Sequence, residues 1–211
     1  MPKGGYGWDR DDPDQLDDHS AAKHAILRAY VRRYIQVLTK HRQQRGLTLT
    51  VVDGFAGGNL YRRNGLIVPG SPGLFLDTVR TVEDELARER PHGFAINAVF
   101  YFIERGRRPR ALLLDTLHEG AFAGELGRTV HVLPGTFVEH ADAIVAGILA
   151  RRGGMRCLFL LDQYGWGAVP LDLVRRIMAE LPGAEVILTF SVDTLITYLT
   201  RDTAHFADRG Q

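Results

Sequence analysis

From Ser20 to about Gln44, the apolar residues Ile26, Leu27, Tyr30, Val31, Tyr34, Ile35 and Leu38 recur at i, i+4 and i+8, while Lys23, Arg28, Arg32, Arg33 and Lys40 fall mostly elsewhere. This period predicts an amphipathic helix with Ser20 as its cap. Gly46 closes it, and Leu47 to Asp53 follows as a nearly continuous apolar strand of the kind covered on both faces. The alternation then repeats. A helix from Ser71-Pro72 to about Arg90 precedes a strand from Ala95 to Glu104, and a helix from about Pro109 to Phe122 precedes a strand from Thr129 to Leu133. Further helices at about Val138 to Arg151, Pro170 to Leu181 and from about Asp193 flank strands Cys157 to Asp162 and Glu185 to Phe190. Five strands separated by helices imply parallel pairing through right-handed crossovers, hence an α/β, doubly wound, mostly parallel, Rossmann-like sheet.

Composition changes this picture at the ends and in one loop. The chain has 211 residues and is 45% apolar, which suits a single α/β domain over 20–211. Residues 1–19 read as an acidic, flexible lead-in. Through residue 20 there are six aspartates against Lys3 and Arg10, a balance of −4 that leaves +5 for the rest. The sharper alternative is that this segment masks a basic surface of its own chain. Arg105-Gly106-Arg107-Arg108-Pro109-Arg110 and Arg151-Arg152 either touch phosphates or are solvated loops. The stretch Gly58 to Gly70 is long for a βα connection and is expected to be functional, and mobile without ligand.

There is no apolar run of membrane length and no basic, greasy leader, so the expected location is cytoplasmic with no membrane partner. The single cysteine, Cys157, cannot form an internal disulfide, which fits a reducing compartment. His19 and His24 are five apart and off one helical face, and His118, His131 and His140 lack ligand spacing. No metal site is expected; the histidines read as solvent or capping residues.

In doubly wound sheets ligands bind beyond the carboxyl ends of the strands, so the strand tips carry the functional reading. Asp53-Gly54-Phe55-Ala56-Gly57 is neither the G-x-G-x-x-G fingerprint nor a P-loop. An acid followed by small residues suits a cationic nucleoside lying against bare backbone, and S-adenosylmethionine is such a molecule. Glu104, at the next tip, can take both ribose hydroxyls, or else pair with Arg105 or Arg107 in solvent. Gly135, Thr136 and Phe137 either frame an adenine ring or begin a helix with Thr136 as cap. Asp162-Gln163-Tyr164-Gly165-Trp166-Gly167 places an acid, an amide and two aromatics at the fourth tip. Asp162 and Tyr164 are the candidate catalytic pair, one accepting from an attacking amine and the other stacking on a flat substrate; the alternative is packing at the sheet edge.

Lys23-His24 with Leu27 and Tyr30, Asp53-Gly-Phe-Ala-Gly57, Gly70-Ser71-Pro72, Phe102-Ile103-Glu104 and Leu161-Asp162-Gln-Tyr-Gly165 together resemble the three-Cys-motif partner proteins (TcmP). The resemblance runs from about Lys23 to Thr194. It implies a class I methyltransferase-like fold, usually encoded beside a three-cysteine-motif, radical-SAM-like protein, which is the expected partner. Gln163 stands where that family commonly has proline. A full methyltransferase sheet needs two strands beyond the five read here, which implies a shortened chain. The Asp53 turn is also similar to that of DNA cytosine C5-methyltransferases, but Cys157 sits at the wrong end of its strand to be their nucleophile. Two functions follow as expectations: a methyltransferase acting on nucleic acid, for which the +5 remainder is permissive, or a non-catalytic partner protein that keeps the fold.

Overall fold

The computed structural model describes residues 7–153, 155–163 and 167–189. The elements run α1 (Asp18–Leu38), β1 (Gly46–Asp53), β2 (Leu60–Arg63), β3 (Leu66–Pro69), α2 (Ser71–Glu89), β4 (Ala95–Glu104), α3 (Arg107–Glu119), β5 (Val130–Pro134), α4 (Phe137–Ala150), β6 (Cys157–Asp162), α5 (Leu171–Glu180) and β7 (Ala184–Thr189). The main sheet has the order β5-β4-β1-β6-β7 with every pair parallel. From β1 the chain winds first through β4 to β5, then crosses to β6 and β7. The direction therefore reverses between β1 and β6, and the fold is doubly wound as the alternation implied.

Period-two alternation along each strand splits the core into two layers. Leu47, Leu49 and Val51 of β1, with Leu158 and Leu160 of β6, pack beneath α1, α2 and α3. Val52, Cys157, Phe159 and Leu161 face α4 and α5 instead. At the amino ends of the strands, Arg151 donates to the Leu49 and Asn97 carbonyl oxygens at 3.1 and 2.9 Å and so pins the end of α4 across β1 and β4. That bonding, rather than phosphate, is what occupies Arg151.

Three local features depart from the sequence pattern. Helix α1 is capped by Asp17, whose Oδ1 accepts the Ser20 N–H at 2.7 Å, and it stops at Leu38 rather than Gln44. Arg90, buried over the Phe94 ring, takes the Thr39 and Gln44 carbonyl oxygens and turns the chain early. Gly46 consequently opens β1 instead of closing α1. Second, residues 58–70 form a hairpin: β2 and β3 pair antiparallel around Asn64-Gly65, both with positive φ (50° and 77°), the geometry of a two-residue hairpin turn. Third, residues 7–17 are docked, not a solvated lead-in. Leu16 is buried, its N–H donates to the Arg62 carbonyl oxygen at 2.9 Å, and Gln15 bridges Arg62 in parallel. The expected last helix from Asp193 lies outside the described residues, and among the described residues no helix is long and apolar enough to cross a membrane.

Candidate functional site

Three acids meet at the carboxyl ends of adjacent strands. Asp53 ends β1 and is fully buried. Its Oδ1 accepts the Phe55 N–H at 3.1 Å and the Ser71 hydroxyl steadies the carboxyl, while Oδ2 has no partner among the described residues. Burial pushes this carboxyl up to about 7, and the neighbouring charges of Asp162 and Glu104 act in the same direction. Because Asp53 pairs with Phe102 of β4, Glu104 projects two residues beyond it. Its Oε2 accepts the Gly57 N–H at 3.0 Å and its Oε1 the Gly106 N–H. These amide bonds, not an ion pair with Arg105 or Arg107, hold Glu104 in place.

The residues between the acids divide by role. A Cβ on Gly54 would come within 2.9 Å of Leu161 Cδ2 and 3.2 Å of Phe137 Cβ, so Gly54 lets β1 close against β6 and α4. Phe55 packs on the α4 side, and Ala56 is buried with its N–H on the Ile103 carbonyl oxygen at 3.0 Å. Gly57 turns the chain with φ +64°. Gly54 and Ala56 are thus packed inward, and the bare surface of the bend is Gly57-Gly58.

Two expectations at the other tips are corrected. Phe137 does not frame a ligand ring: it is 1% exposed in the α4 core, edge-on to Phe159 with centroids 6.1 Å apart. Thr136 is the cap of α4 in a full capping box with Glu139, and Gly135 (φ +102°) makes the turn into it. At β6, Asp162 is engaged on both oxygens, Oδ2 by Lys23 Nζ at 2.5 Å and Oδ1 by the Thr189 hydroxyl. The buried Gln163 accepts the Ala168 and Val169 N–H groups at 2.9 and 3.0 Å and thereby closes the loop after β6. Tyr164, with Gly165 and Trp166, lies outside the described residues.

Sequence reasoning missed the residues that cover this site. The Trp8 indole lies on the glycine bend, so that a Cβ on Gly57 would meet it at 2.8 Å and one on Gly58 closer still. Trp8 also stands edge-on to Tyr61 at 5.3 Å, and Tyr61 edge-on to His24 at 6.1 Å. His24 is therefore half-buried beside the site, not a solvent or capping residue, and burial, with Lys23 beside it, lowers its pKa. Asp14 accepts the Trp8 N–H at 3.0 Å and, through its carbonyl oxygen, the Arg62 N–H at 2.9 Å. Asp12 and Asp18 pair with Arg62 and Arg63 at 3.7 and 3.1 Å. Two acids of the segment thus pair with arginines of the same chain, and both stay exposed. Two clefts of about 220 and 250 Å³ lie elsewhere, between α1 and α2 near Arg90 and beside Arg80 and Phe122, with none of the strand-tip acids in their walls.

No family model and no curated protein matches the chain. Among solved structures it is similar to the crystal structure of protein LPL1258 from Legionella pneumophila strain Philadelphia 1, described by the family model DUF519. The identity is 11% and the TM-score 0.46, and the match covers 74% of this chain and 63% of that one, less than two thirds of its length.

Proposed function

We propose that the chain is an S-adenosylmethionine-binding, methyltransferase-like protein acting on nucleic acid. The observation that carries this reading is the bond from the Gly57 N–H to Glu104 Oε2 at 3.0 Å, which joins the second acid to the glycine bend. The residues fit the cofactor: Asp53 Oδ2 is buried without a partner, and the bend offers backbone with no side chains of its own. When bound, the cofactor supplies an electrophilic methyl on a sulfonium. Glu104 takes its ribose hydroxyls, Asp53 fixes the bend through the Phe55 N–H, and Gly57-Gly58 admits the nucleoside once Trp8 has moved off. Calorimetric titration of S-adenosylmethionine will show binding to the wild type that weakens at least about tenfold in Glu104→Ala. Absence of heat from the folded wild type and a folded Trp8→Ala variant alike ends the cofactor reading.

A second reading, a non-catalytic partner of a three-cysteine-motif, radical-SAM-like protein, draws on the saturation of Asp162. With Lys23 on one oxygen and Thr189 on the other, no lone carboxylate faces an incoming nucleophile. Co-purification of the two proteins without transfer of labelled methyl to nucleic acid favours this reading; transfer by this chain alone excludes it.

A further inference from the structure

Residues 7–18 have the chemical outline of a short nucleic-acid strand. One flat ring, Trp8, lies on backbone amides at Gly57-Gly58 beside the Tyr61 ring, and two carboxylates beyond it, Asp12 and Asp18, meet the guanidinium groups of Arg62 and Arg63. A base stacks on an aromatic ring such as Tyr61 through its π-face, and phosphates take guanidinium groups as carboxylates do. The charge division agrees, with −5 in residues 7–18 and +5 in residues 19–211. Close in sequence to Glu104, the exposed Arg105, Arg107 and Arg108 form no ion pair among the described residues. The two carboxylate pairs are the weak part of this docking. Asp18 and Asp12 are 100% and 89% exposed in their side chains, and exposed pairs are weak and screened by salt.

We propose that Trp8 with the Asp12 and Asp18 carboxylates is a built-in competitor, and that the track beneath them, Tyr61, Arg62 and Arg63, binds single-stranded nucleic acid that displaces them, while Gly57-Gly58 stays with the cofactor. This rests on the nucleic-acid part of the function proposed above and not on its cofactor part. Fluorescence anisotropy with a labelled oligodeoxynucleotide of about 12 nucleotides tests it. Trp8→Ala, and separately the exposed pair Asp12→Asn with Asp18→Asn, will bind at least about tenfold more tightly than the wild type. Adding Arg62→Ala and Arg63→Ala to the Trp8 variant will reduce the slope of log affinity against log salt by about 1.4, the share of two phosphates on a single strand. Equal affinity in the wild type and both competitor-weakened variants, or an unchanged slope, overturns the proposal. Cofactor heat that grows in Trp8→Ala without oligonucleotide binding overturns the track and leaves the cofactor reading standing; tight oligonucleotide binding without cofactor heat does the reverse.

Discussion

Between about pH 5 and pH 8 the wild-type chain will lose roughly 2–3 kcal/mol of stability that an Asp53→Asn variant keeps. The Asp53 carboxyl is raised in the fold to about 7 from an ordinary 3.8, because it is buried. Across the interval between those values the folded chain holds a proton that the unfolded chain has released. The stabilisation is therefore complete below the ordinary value, falls as pH rises, and is gone above about 7. Asparagine has no such titration. It leaves the unpartnered position of Oδ2 neutral, though that polar group still goes without a partner, so the comparison rests on the difference between the two pH profiles and not on either absolute stability. His24, lowered in the fold, titrates in both chains and cancels in that difference. Urea denaturation of both proteins at the two pH values measures it. Parallel profiles would mean that Asp53 is ionised in the fold throughout. A strand-tip acid held at this cost is the kind of group that function retains against stability.

Phe137→Ala will cost about 3–5 kcal/mol, measured as the loss of unfolding free energy in urea at constant pH. The ring is fully enclosed by the layer between the sheet and α4, against Phe159 and over the place where Gly54 lacks a side chain. Truncation leaves a cavity that the rigid β1–β6 pair cannot collapse into. Phe137→Leu will recover most of the loss. A small stability change coupled to weaker cofactor binding would instead make Phe137 a ligand contact, contrary to its burial.

Much of the fold was readable because its strands are long apolar runs with sharp ends. The structure places β4 and β6 at Ala95–Glu104 and Cys157–Asp162, the same bounds as the pattern, and β1 begins one residue earlier than expected. Where the reading failed, the deciding group came from far along the chain. Arg90 ends α1 from a position 46 and 51 residues away from its two partners, and Lys23 reaches Asp162 across 139 residues. No local pattern reports such bonds. The hairpin is different, because Asn64-Gly65 between Arg63 and Leu66 is a legible turn signal that loop length overshadowed. The six aspartates near the amino end likewise drew attention away from Trp8 and Leu16, the apolar residues that dock the segment. At the strand tips, Asp53 and Glu104 do lie on neighbouring strands, since each ends a run in the parallel pair β1 and β4. Spacing could not tell which side of the sheet Phe137 joins, because that depends on the crossover and not on its neighbours in sequence.

Cys157 begins β6 with no exposed surface, donates to the Met155 carbonyl oxygen at 3.7 Å, and burial pushes its thiol up to about 12. A thiol in that setting is neither reachable nor ionised, so alkylating reagents attack it only when the central strands part. As the sole sulfhydryl of the chain, it makes the rate of chemical labelling a direct clock for the rarest breathing of the sheet.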